Sequence, residues 1–316
     1  MVQIDFPRNL VEFQSRFSDE DACREQLFRM KWPDGYHCRK CGGTEYYLIA
    51  SRDVYECPKC HVQQSLTEGT VMHKTRKPLS LWFLAIYLMA TSKQGISAAE
   101  LARKLGFGSK TAWTWLTKIR LALGRREQRR LLGEVEVDEA YVGGHNKGGK
   151  RGRGSESKTP IAAAVEINGG RIGRLRLTVI EGVDELTLHR FIKQEIETGA
   201  TLKTDGYGGY NLMNSQGYAV AKFVAGTASS EDPTSEVHKA ISNLKRWLLG
   251  THQGRVSRQH LQKYLDEFVY RFNRRFVKYE GRLAELMLGE LVGGRPETYW
   301  EIIGRSNPAT VASHAA

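Results

Sequence analysis

The sequence contains no apolar run long enough to cross a membrane. The longest run, Leu79 to Ala90, has 12 residues, against the ~20 that a spanning helix needs. The first residues also lack a basic start followed by an apolar stretch, so no secretory signal is predicted. These two absences argue against a membrane or secreted protein, and they predict a cytoplasmic one.

Cysteine does not occur after residue 60. Four of the five cysteines form the pairs Cys38-x-x-Cys41 and Cys57-x-x-Cys60, which are separated by fifteen residues. Two such knuckles direct four thiolates at one ion and predict structural zinc. The alternatives are a rubredoxin-like iron site, a redox pair or two plain surface turns, all of which the spacing disfavours. Cys23 is left over and is predicted to be a small buried side chain.

Acidic residues are outnumbered by basic ones. The 316 residues include 47 Lys plus Arg against 35 Asp plus Glu, a formal net charge of +12. A surplus of this size favours a polyanionic partner. Because no membrane segment is predicted, nucleic acid is the expected partner.

The composition changes along the chain and predicts four segments. Residues 1–77 are rich in Cys, Tyr and charge, residues 78–130 are helical in pattern, and the strands begin after residue 130. The segments are predicted as a zinc-ribbon region (1–77), a helix-turn-helix domain (78–130), an α/β catalytic domain (131–290) and a C-terminal tail (291–316).

Two short helices are predicted in the second segment. Ser97 is a good N-cap with Glu100 three residues later, and Gly106-Phe107-Gly108 ends the first helix. A second helix, capped by Ser109, is predicted to run to about Leu123, with Trp113 or Trp115 packing inward. Two helices around a Gly-containing turn indicate a helix-turn-helix, and a plain helical hairpin is the alternative. The side chains expected to face DNA are Lys110, Thr111, Thr114 and Lys118.

Two aspartates occupy matching places in predicted strands. Asp138 lies late in the alternating strand Glu134 to Val142, and Asp205 ends the strand that begins at Thr201. Two further strands and a helix capped by Asp184 lie between them. This order of elements is that of a ribonuclease-H-like α/β layer, which can hold both carboxylates side by side. Paired carboxylates repel each other unless a divalent cation lies between them, as in two-metal sites for phosphoryl transfer. Taken alone, either aspartate is better explained as a cap or a surface ion pair.

Four blocks of the sequence resemble one protein family. EVEVDEAYVGG, LKTDGYGGY, VHKAISNLKRWLLGTHQG and HLQKYLDEFVYRFNRR are similar to the transposase domain of DDE-superfamily insertion sequences, in the group that carries an N-terminal zinc ribbon. The resemblance covers nearly the whole chain. It implies a double-stranded DNA partner, and DNA strand cleavage and strand transfer that depend on Mg²⁺ or Mn²⁺, by direct attack of water or a hydroxyl.

The resemblance also implies the catalytic residues. The first two acidic positions of the family match Asp138 and Asp205. The third position, usually Glu but also Asn or His in this group, is matched by His238, and a Lys seven residues later is matched by Lys245. A neutral nitrogen suits Mg²⁺ less well than a carboxylate does. Glu236 and Asp232 are therefore kept as alternatives for the third ligand.

The remaining expectations concern DNA and assembly. Glu139 should project to the opposite face of its strand from Asp138, away from the metal site. The terminal block of the family is matched by residues that contact the DNA backbone or serve packing: Arg271, Arg274 and Arg275. Because an insertion sequence has two ends, a homo-oligomer on DNA is expected. The rival hypotheses are a zinc-ribbon DNA-binding regulator or inactive transposase, and a ribonuclease-H-like nuclease.

Overall fold

The computed structural model describes residues 6–124, 129–143, 158–205, 207–223, 234–254 and 256–305. The chain divides into two compact units. The first combines Met1–Arg126 with Val277–Ala316, and the second is Glu127–Phe276. Among the described residues, no helix has the length and apolar character needed to cross a membrane.

The first unit consists mainly of helices and contains one small sheet. Its three strands pair antiparallel in the order β1-β2-β3. Its elements are α1 (Leu10–Arg16), α2 (Glu20–Lys31), β1 (Tyr47–Ile49), β2 (Val54–Glu56), β3 (Gln63–Ser65), α3 (Leu79–Thr91), α4 (Ala98–Leu105), α5 (Ser109–Gly124), α9 (Glu280–Gly293) and α10 (Tyr299–Ile302).

The apolar run of the sequence forms the centre of this unit. Helix α3 is that run, and eight of its thirteen residues are buried. The Trp82 ring stacks on Trp115 of α5 with centroids 3.7 Å apart, so Trp115 is the tryptophan that packs inward. Cys23 is fully buried, as its small apolar character predicts.

The two predicted short helices form with the expected ends. The Ser97 side chain accepts a hydrogen bond from the Glu100 N–H at the start of α4, and Gly106 ends α4 with φ of 66°. Only glycine adopts this left-handed conformation without strain. Helix α5 begins one residue earlier than predicted, at Ser109 itself. The two helices and the turn between them are therefore present. Their use in DNA recognition stays a prediction.

The C-terminal segment packs within the first unit. Helix α9 contacts α2, α3 and α5, and the Val71 N–H donates to the Leu291 carbonyl at 3.0 Å. At Gly281 a Cβ atom would lie 1.6 Å from the Pro7 carbonyl oxygen, so only glycine fits. The predicted catalytic domain ended at residue 290, whereas the compact unit that holds its strands ends at Phe276. The difference arises because the apolar face of α9 is buried against the helices of the first unit.

The second unit is a five-stranded mixed sheet with helices on both faces. The strand order is β6-β5-β4-β7-β8, with β4-β5 and β5-β6 antiparallel and β4-β7 and β7-β8 parallel. A 3₁₀ helix (Gly208–Gln216) precedes β8. The elements are β4 (Glu134–Val142), β5 (Thr159–Asn168), β6 (Arg171–Val179), α6 (Glu185–Glu195), β7 (Thr201–Asp205), β8 (Ala219–Phe223), α7 (Ser235–His252) and α8 (Arg258–Asn273).

The two faces of the sheet carry separate cores. Val135 and Val137 of β4 pack with α6 and the 3₁₀ helix. Ala140 and Val142 of the same strand pack with α7 and α8. Even-numbered residues of β4 therefore face α7, and odd-numbered residues face α6, as strand alternation requires. The predicted α/β class of this region is confirmed.

Helix α8 covers the exposed edge of the sheet. Strand β6 is an edge strand, whose unpaired backbone groups could pair with another chain. The side chain of Asn273 accepts a hydrogen bond from the Leu175 N–H at 2.8 Å and donates to the Leu175 carbonyl at 3.2 Å. Gln262 does the same between Val179 and Leu177, at 2.8 and 3.1 Å. Two amide side chains thus replace the missing neighbouring strand.

Replacing Asn273 by Ala is expected to lower the free energy of unfolding by about 2–3 kcal/mol, because it leaves one N–H and one C=O of β6 without partners. Urea denaturation measures this change. Gln194→Ala, at an exposed position on α6, is the control and should shift stability by less than about 0.5 kcal/mol. Equal effects of the two substitutions would show that the edge contacts contribute nothing.

Candidate functional site

The four paired cysteines lie together in the first unit. Cys38 Sγ is 3.5 Å from Cys60 Sγ, and Cys41 Sγ is 3.5 Å from Cys57 Sγ. All four sulfur atoms lie within 4.8 Å of one another. A tetrahedral zinc with Zn–S bonds of about 2.3 Å places its sulfurs about 3.8 Å apart. The cluster therefore has the dimensions of a structural zinc site.

The backbone around the cysteines is built for metal binding. The Cys38 N–H donates to the Gly43 carbonyl at 2.8 Å, which closes the first knuckle. Hydrogen bonds from the backbone of Cys41 and Lys40 lower the pKa of Cys38 to about 6 and so favour its thiolate. A Cβ atom on Gly43 would lie 3.4 Å from Cys57 Sγ, so the glycine keeps room beside the sulfurs. These features fit zinc held by four thiolates.

The sheet places Asp138 and Asp205 side by side. Glu134 and Glu136 of β4 pair with Thr201 and Lys203 of the parallel strand β7, a constant offset of 67 residues. Extended by two residues beyond the last paired residues, the same offset places Asp138 beside Asp205, and neighbouring strands lie about 4.8 Å apart. Glu134 and Lys203 also join across this face, with Nζ to Oε2 at 2.9 Å. Both aspartates therefore project from the same face of the sheet, at the carboxyl ends of the strands.

Helix α7 brings His238 to this face. His238 Nε2 lies 3.3 Å from Asp138 Oδ2. About half of the His238 side chain is exposed, whereas the Asp138 side chain is 18% exposed. Within the described residues, the three side chains are farther apart than the four cysteines, whose cluster alone meets the 4.8 Å spacing. The structure thus brings the three predicted residues together around Asp138, with His238 as its direct neighbour.

The environment of Asp138 opposes its negative charge. Burial raises the pKa of Asp138 from 3.8 to about 6, His238 acts in the opposite direction, and Glu139 and Asp205 raise the pKa further. Desolvation and neighbouring carboxylates both disfavour the ionised form. A divalent cation between the carboxylates relieves both effects, so the donor set and its charge fit such an ion.

Glu136 holds α7 over the carboxylates, a role that the sequence analysis missed. Its Oε2 accepts hydrogen bonds from the N–H groups of Glu236 and Val237, at 2.9 and 2.8 Å. Glu136 is only 5% exposed. A carboxylate at a helix N-terminus satisfies free N–H groups and complements the helix dipole. The signal in the sequence was a charged residue on the buried face of a central strand, two positions before Asp138.

The opposite face of β4 carries Glu139. Its Oε2 accepts a hydrogen bond from the Tyr210 hydroxyl at 2.9 Å. Burial and the nearby carboxylates raise the pKa of Tyr210 well above its ordinary value, so it remains a hydrogen-bond donor. Glu139 thus projects away from Asp138, in agreement with the strand alternation, and braces β4 against the 3₁₀ helix that follows β7.

Two family models match the chain. Residues 130–273 match the ISXO2-like transposase domain, and residues 18–63 match the transposase zinc-ribbon domain. The chain therefore carries a transposase domain and a transposase zinc ribbon. The two matched regions contain the aspartate pair and the four cysteines, respectively.

One curated relative comes from a transposable element. An uncharacterized protein in the transposable element ISH50 of Halobacterium salinarum is 24% identical over 274 residues, which cover 81% of this chain and 91% of the relative. Among solved structures, a simian T-cell lymphotropic virus intasome matches with a TM-score of 0.33 and 13% identity, over 60% of this chain and 70% of that one. A pre-cleavage Mos1 transpososome matches with a TM-score of 0.26 and 12% identity, over 68% and 80%.

Of the two alternatives for the third ligand, Glu236 is among the described residues. The Glu236 side chain forms an ion pair with Lys239 on the same helix. Asp232 lies outside the described residues. Lys245 is seven residues after His238 on α7 and is exposed. Of the predicted third-position residues that are described, His238 has the direct contact with Asp138.

Residues of the C-terminal segment lie near the predicted DNA-facing lysines of α5. The Lys110 ammonium lies 4.1 Å from the ring centroid of Tyr299 in α10. Burial lowers the pKa of Lys118, while Glu297 and Glu301 act in the opposite direction. Thr111 and Thr114 are half-buried. The lysines predicted to contact DNA therefore have aromatic and acidic neighbours within their own unit.

The predicted DNA-contacting arginines of α8 have packing roles. Arg275 donates hydrogen bonds to the carbonyls of Ile172 and Gly173 on β6. The Arg274 guanidinium stacks 3.6 Å from the Tyr270 ring centroid. Burial lowers the pKa of Arg271, and Glu267 opposes this shift. Arg274 and Arg275 therefore have packing contacts within the second unit. DNA contact by the three arginines stays a prediction.

Proposed function

We propose that this transposase binds the ends of its own insertion sequence and catalyses metal-dependent DNA strand cleavage and strand transfer. The observation that carries the proposal is the equivalent position of Asp138 and Asp205 on parallel neighbouring strands, on one face, with His238 3.3 Å from Asp138. The strand order, with β4 central between an antiparallel and a parallel pair, supports a ribonuclease-H-like catalytic domain.

The residues divide the chemical work among them. Asp138 and Asp205 would hold Mg²⁺ or Mn²⁺, with His238 as third ligand or as the group that positions Asp138. The metal would supply positive charge at the reacting phosphate and lower the pKa of the attacking water or 3′-hydroxyl. The attacking oxygen bonds to phosphorus and loses its proton to solvent, while the opposite P–O bond breaks and the leaving oxygen stays on its DNA end and takes up a proton. Lys245 holds a DNA phosphate by charge.

The zinc ribbon and the helical pair serve DNA recognition in this proposal. The division into residues 1–77, 78–130, 131–290 and 291–316 separates recognition from catalysis. Zinc shapes the ribbon without taking part in the reaction, since four thiolates leave no open coordination position. The net charge of +12 supports binding to DNA, and the two ends of an element call for a homo-oligomer on DNA.

The proposal is tested by strand cleavage and joining on labelled DNA that carries the element's own ends, with Mg²⁺, with Mn²⁺ or with neither. Wild type is expected to form joined product only with metal, and Asp205→Asn to form none. Glu197→Gln is the matched control, because Glu197 is an exposed carboxylate at the other end of the sheet. Tight DNA binding without cleavage under any metal would instead indicate a DNA-binding regulator.

A further inference from the structure

A cavity opens where β4 ends in the second unit. Its volume is about 260 Å³, and its walls include Tyr141, Lys158, Lys245, Leu248 and Leu249. Small-molecule sites span roughly 300–1,000 Å³, so this cavity is suited to one small chemical group rather than to a duplex. Its walls come from the end of β4, the residue before β5, and α7.

The cavity is cationic. None of the described residues that line it is acidic. Neither Lys158 nor Lys245 has a hydrogen-bond or ion-pair partner among the residues that the structure describes. Two ammonium groups in one cavity repel each other, and an anion between them removes that repulsion. The charge of the walls therefore selects an anionic ligand.

The cavity also has an apolar side. Leu249 is 63% exposed although it is a large hydrophobic residue, while its neighbour Leu248 is 5% exposed. Exposed apolar surface next to cations fits a ligand with a charged and an apolar part. A nucleotide in a DNA strand has this composition, because its phosphate is anionic and its sugar and base have apolar faces.

The position of the cavity relates it to the reaction. Lys245 follows His238 by seven residues on α7, which is nearly two turns and about 10.5 Å along the helix axis. At 3.4 Å per nucleotide step of a strand, this distance is about three steps. A strand with its reacting phosphate at Asp138 and Asp205 can thus reach the cavity with a flanking nucleotide.

We infer that the cavity holds one flanking nucleotide of the strand that is cut, with its phosphate between Lys158 and Lys245 and its sugar or base against Leu249. The inference rests on the proposed function and extends it to a second DNA contact, outside the carboxylate site. Lys158 is the residue that it newly assigns to substrate binding.

The test measures affinity for a fluorescein-labelled duplex carrying the element's own end, by fluorescence anisotropy of the zinc-loaded full chain from 0.05 to about 0.3 M salt, without Mg²⁺ or Mn²⁺. Each phosphate contact contributes about 0.9 to the steepness of the plot of log K against log salt. Loss of one contact therefore makes the slope shallower by about 0.9, and the resulting loss of affinity is about eightfold larger at 0.1 M salt than at 1 M. The double variant Lys158→Ala/Lys245→Ala should show this loss. Leu249→Ala should weaken binding about two- to fivefold with the slope unchanged.

The matched control is Lys193→Ala, which removes an exposed lysine from α6 on the opposite face of the sheet. If both lysines bind one phosphate, the effects of the two single substitutions will not be additive. Additive losses, or a Lys158→Ala chain that binds like Lys193→Ala, would overturn the inference.

Failure of the inference and failure of the proposed function are separable. Metal-dependent joining by wild type together with an unchanged Lys158→Ala chain rejects the cavity alone. A weakened Lys158→Ala chain without joining by wild type rejects the catalytic proposal and keeps the cavity as a DNA site.

Discussion

Asp138→Asn is expected to abolish strand cleavage and joining, by at least about 10³-fold, while DNA binding is retained. In the proposed mechanism Asp138 is a metal ligand, and losing the ligand removes several kcal/mol of transition-state stabilisation. Asn keeps the size and the hydrogen-bonding capacity of the side chain and removes only the charge. Gel-shift binding and joining assays on the same DNA measure the two effects separately.

The same substitution should leave the fold intact or make it more stable. The folded-state pKa of Asp138 is raised from 3.8 to about 6, mainly by burial. An acid with a raised folded pKa contributes stability that is fully present below pH 3.8 and is lost as the pH rises through 6. Asn has no such loss, so at pH 8 the variant should gain up to about 2–3 kcal/mol. A variant that is inactive because it is unfolded would contradict this prediction.

The activity loss in His238→Ala, compared with that in Asp138→Asn, distinguishes two roles of His238. Its side chain is half-exposed and contacts Asp138. If it only positions Asp138, His238→Ala should lower the joining rate about 10–100-fold, as substitutions next to metal ligands do. A loss equal to that of Asp138→Asn would instead make His238 a full member of the metal site. Retained activity in Asp138→Asn would reject the carboxylate mechanism altogether.

Short-range features of this chain could be predicted from sequence. The two cysteine knuckles need only local turns, and a spacing of two residues within each pair is enough to indicate them. Caps such as Ser97 and Asp184 act within three residues of their own position, and both accept the expected backbone hydrogen bonds. The alternation of β4 placed Asp138 and Glu139 on opposite faces for the same local reason.

Long-range features could not be predicted in the same way. The offset that sets Asp138 beside Asp205 depends on which strands pair in parallel, and that pairing is decided by the helices packed on each face. The hydrogen bonds from Glu136 to the start of α7 join residues 100 and 101 positions apart. The resemblance to a family identified the aspartates, whereas the one signal for Glu136, a charged residue on the buried face of a central strand, did not indicate which helix it supports.

The surroundings of the α5 lysines are another long-range feature that could not be predicted. Their helical spacing gave them a common face, and the sequence analysis assigned that face to DNA. In the structure, Tyr299 lies 4.1 Å from Lys110, although the two residues are far apart in the chain. A helical pattern specifies which side chains share a face and leaves open what covers that face.

Cys57→Ser is expected to release zinc and unfold the small sheet of the first unit. Cys57 is fully buried, and its sulfur lies in the four-cysteine cluster. The three short strands supply little core of their own, and binding of structural zinc contributes about 10–16 kcal/mol of folding free energy in zinc-finger peptides. Hydrogen exchange should rise throughout β1 to β3, while the five-stranded sheet of the second unit keeps its protection. Zinc content should fall from one ion per chain to none.

Cys23→Ala is the matched control for this experiment. Cys23 is also fully buried, but it lies outside the four-cysteine cluster, and burial raises the pKa of its thiol to about 12. Its replacement should keep one zinc per chain and normal protection of β1 to β3, at a stability loss of about 1 kcal/mol. Full zinc content in Cys57→Ser would mean that three sulfurs suffice. Loss of zinc in both variants would mean that general unfolding of α2, rather than a missing ligand, releases the ion.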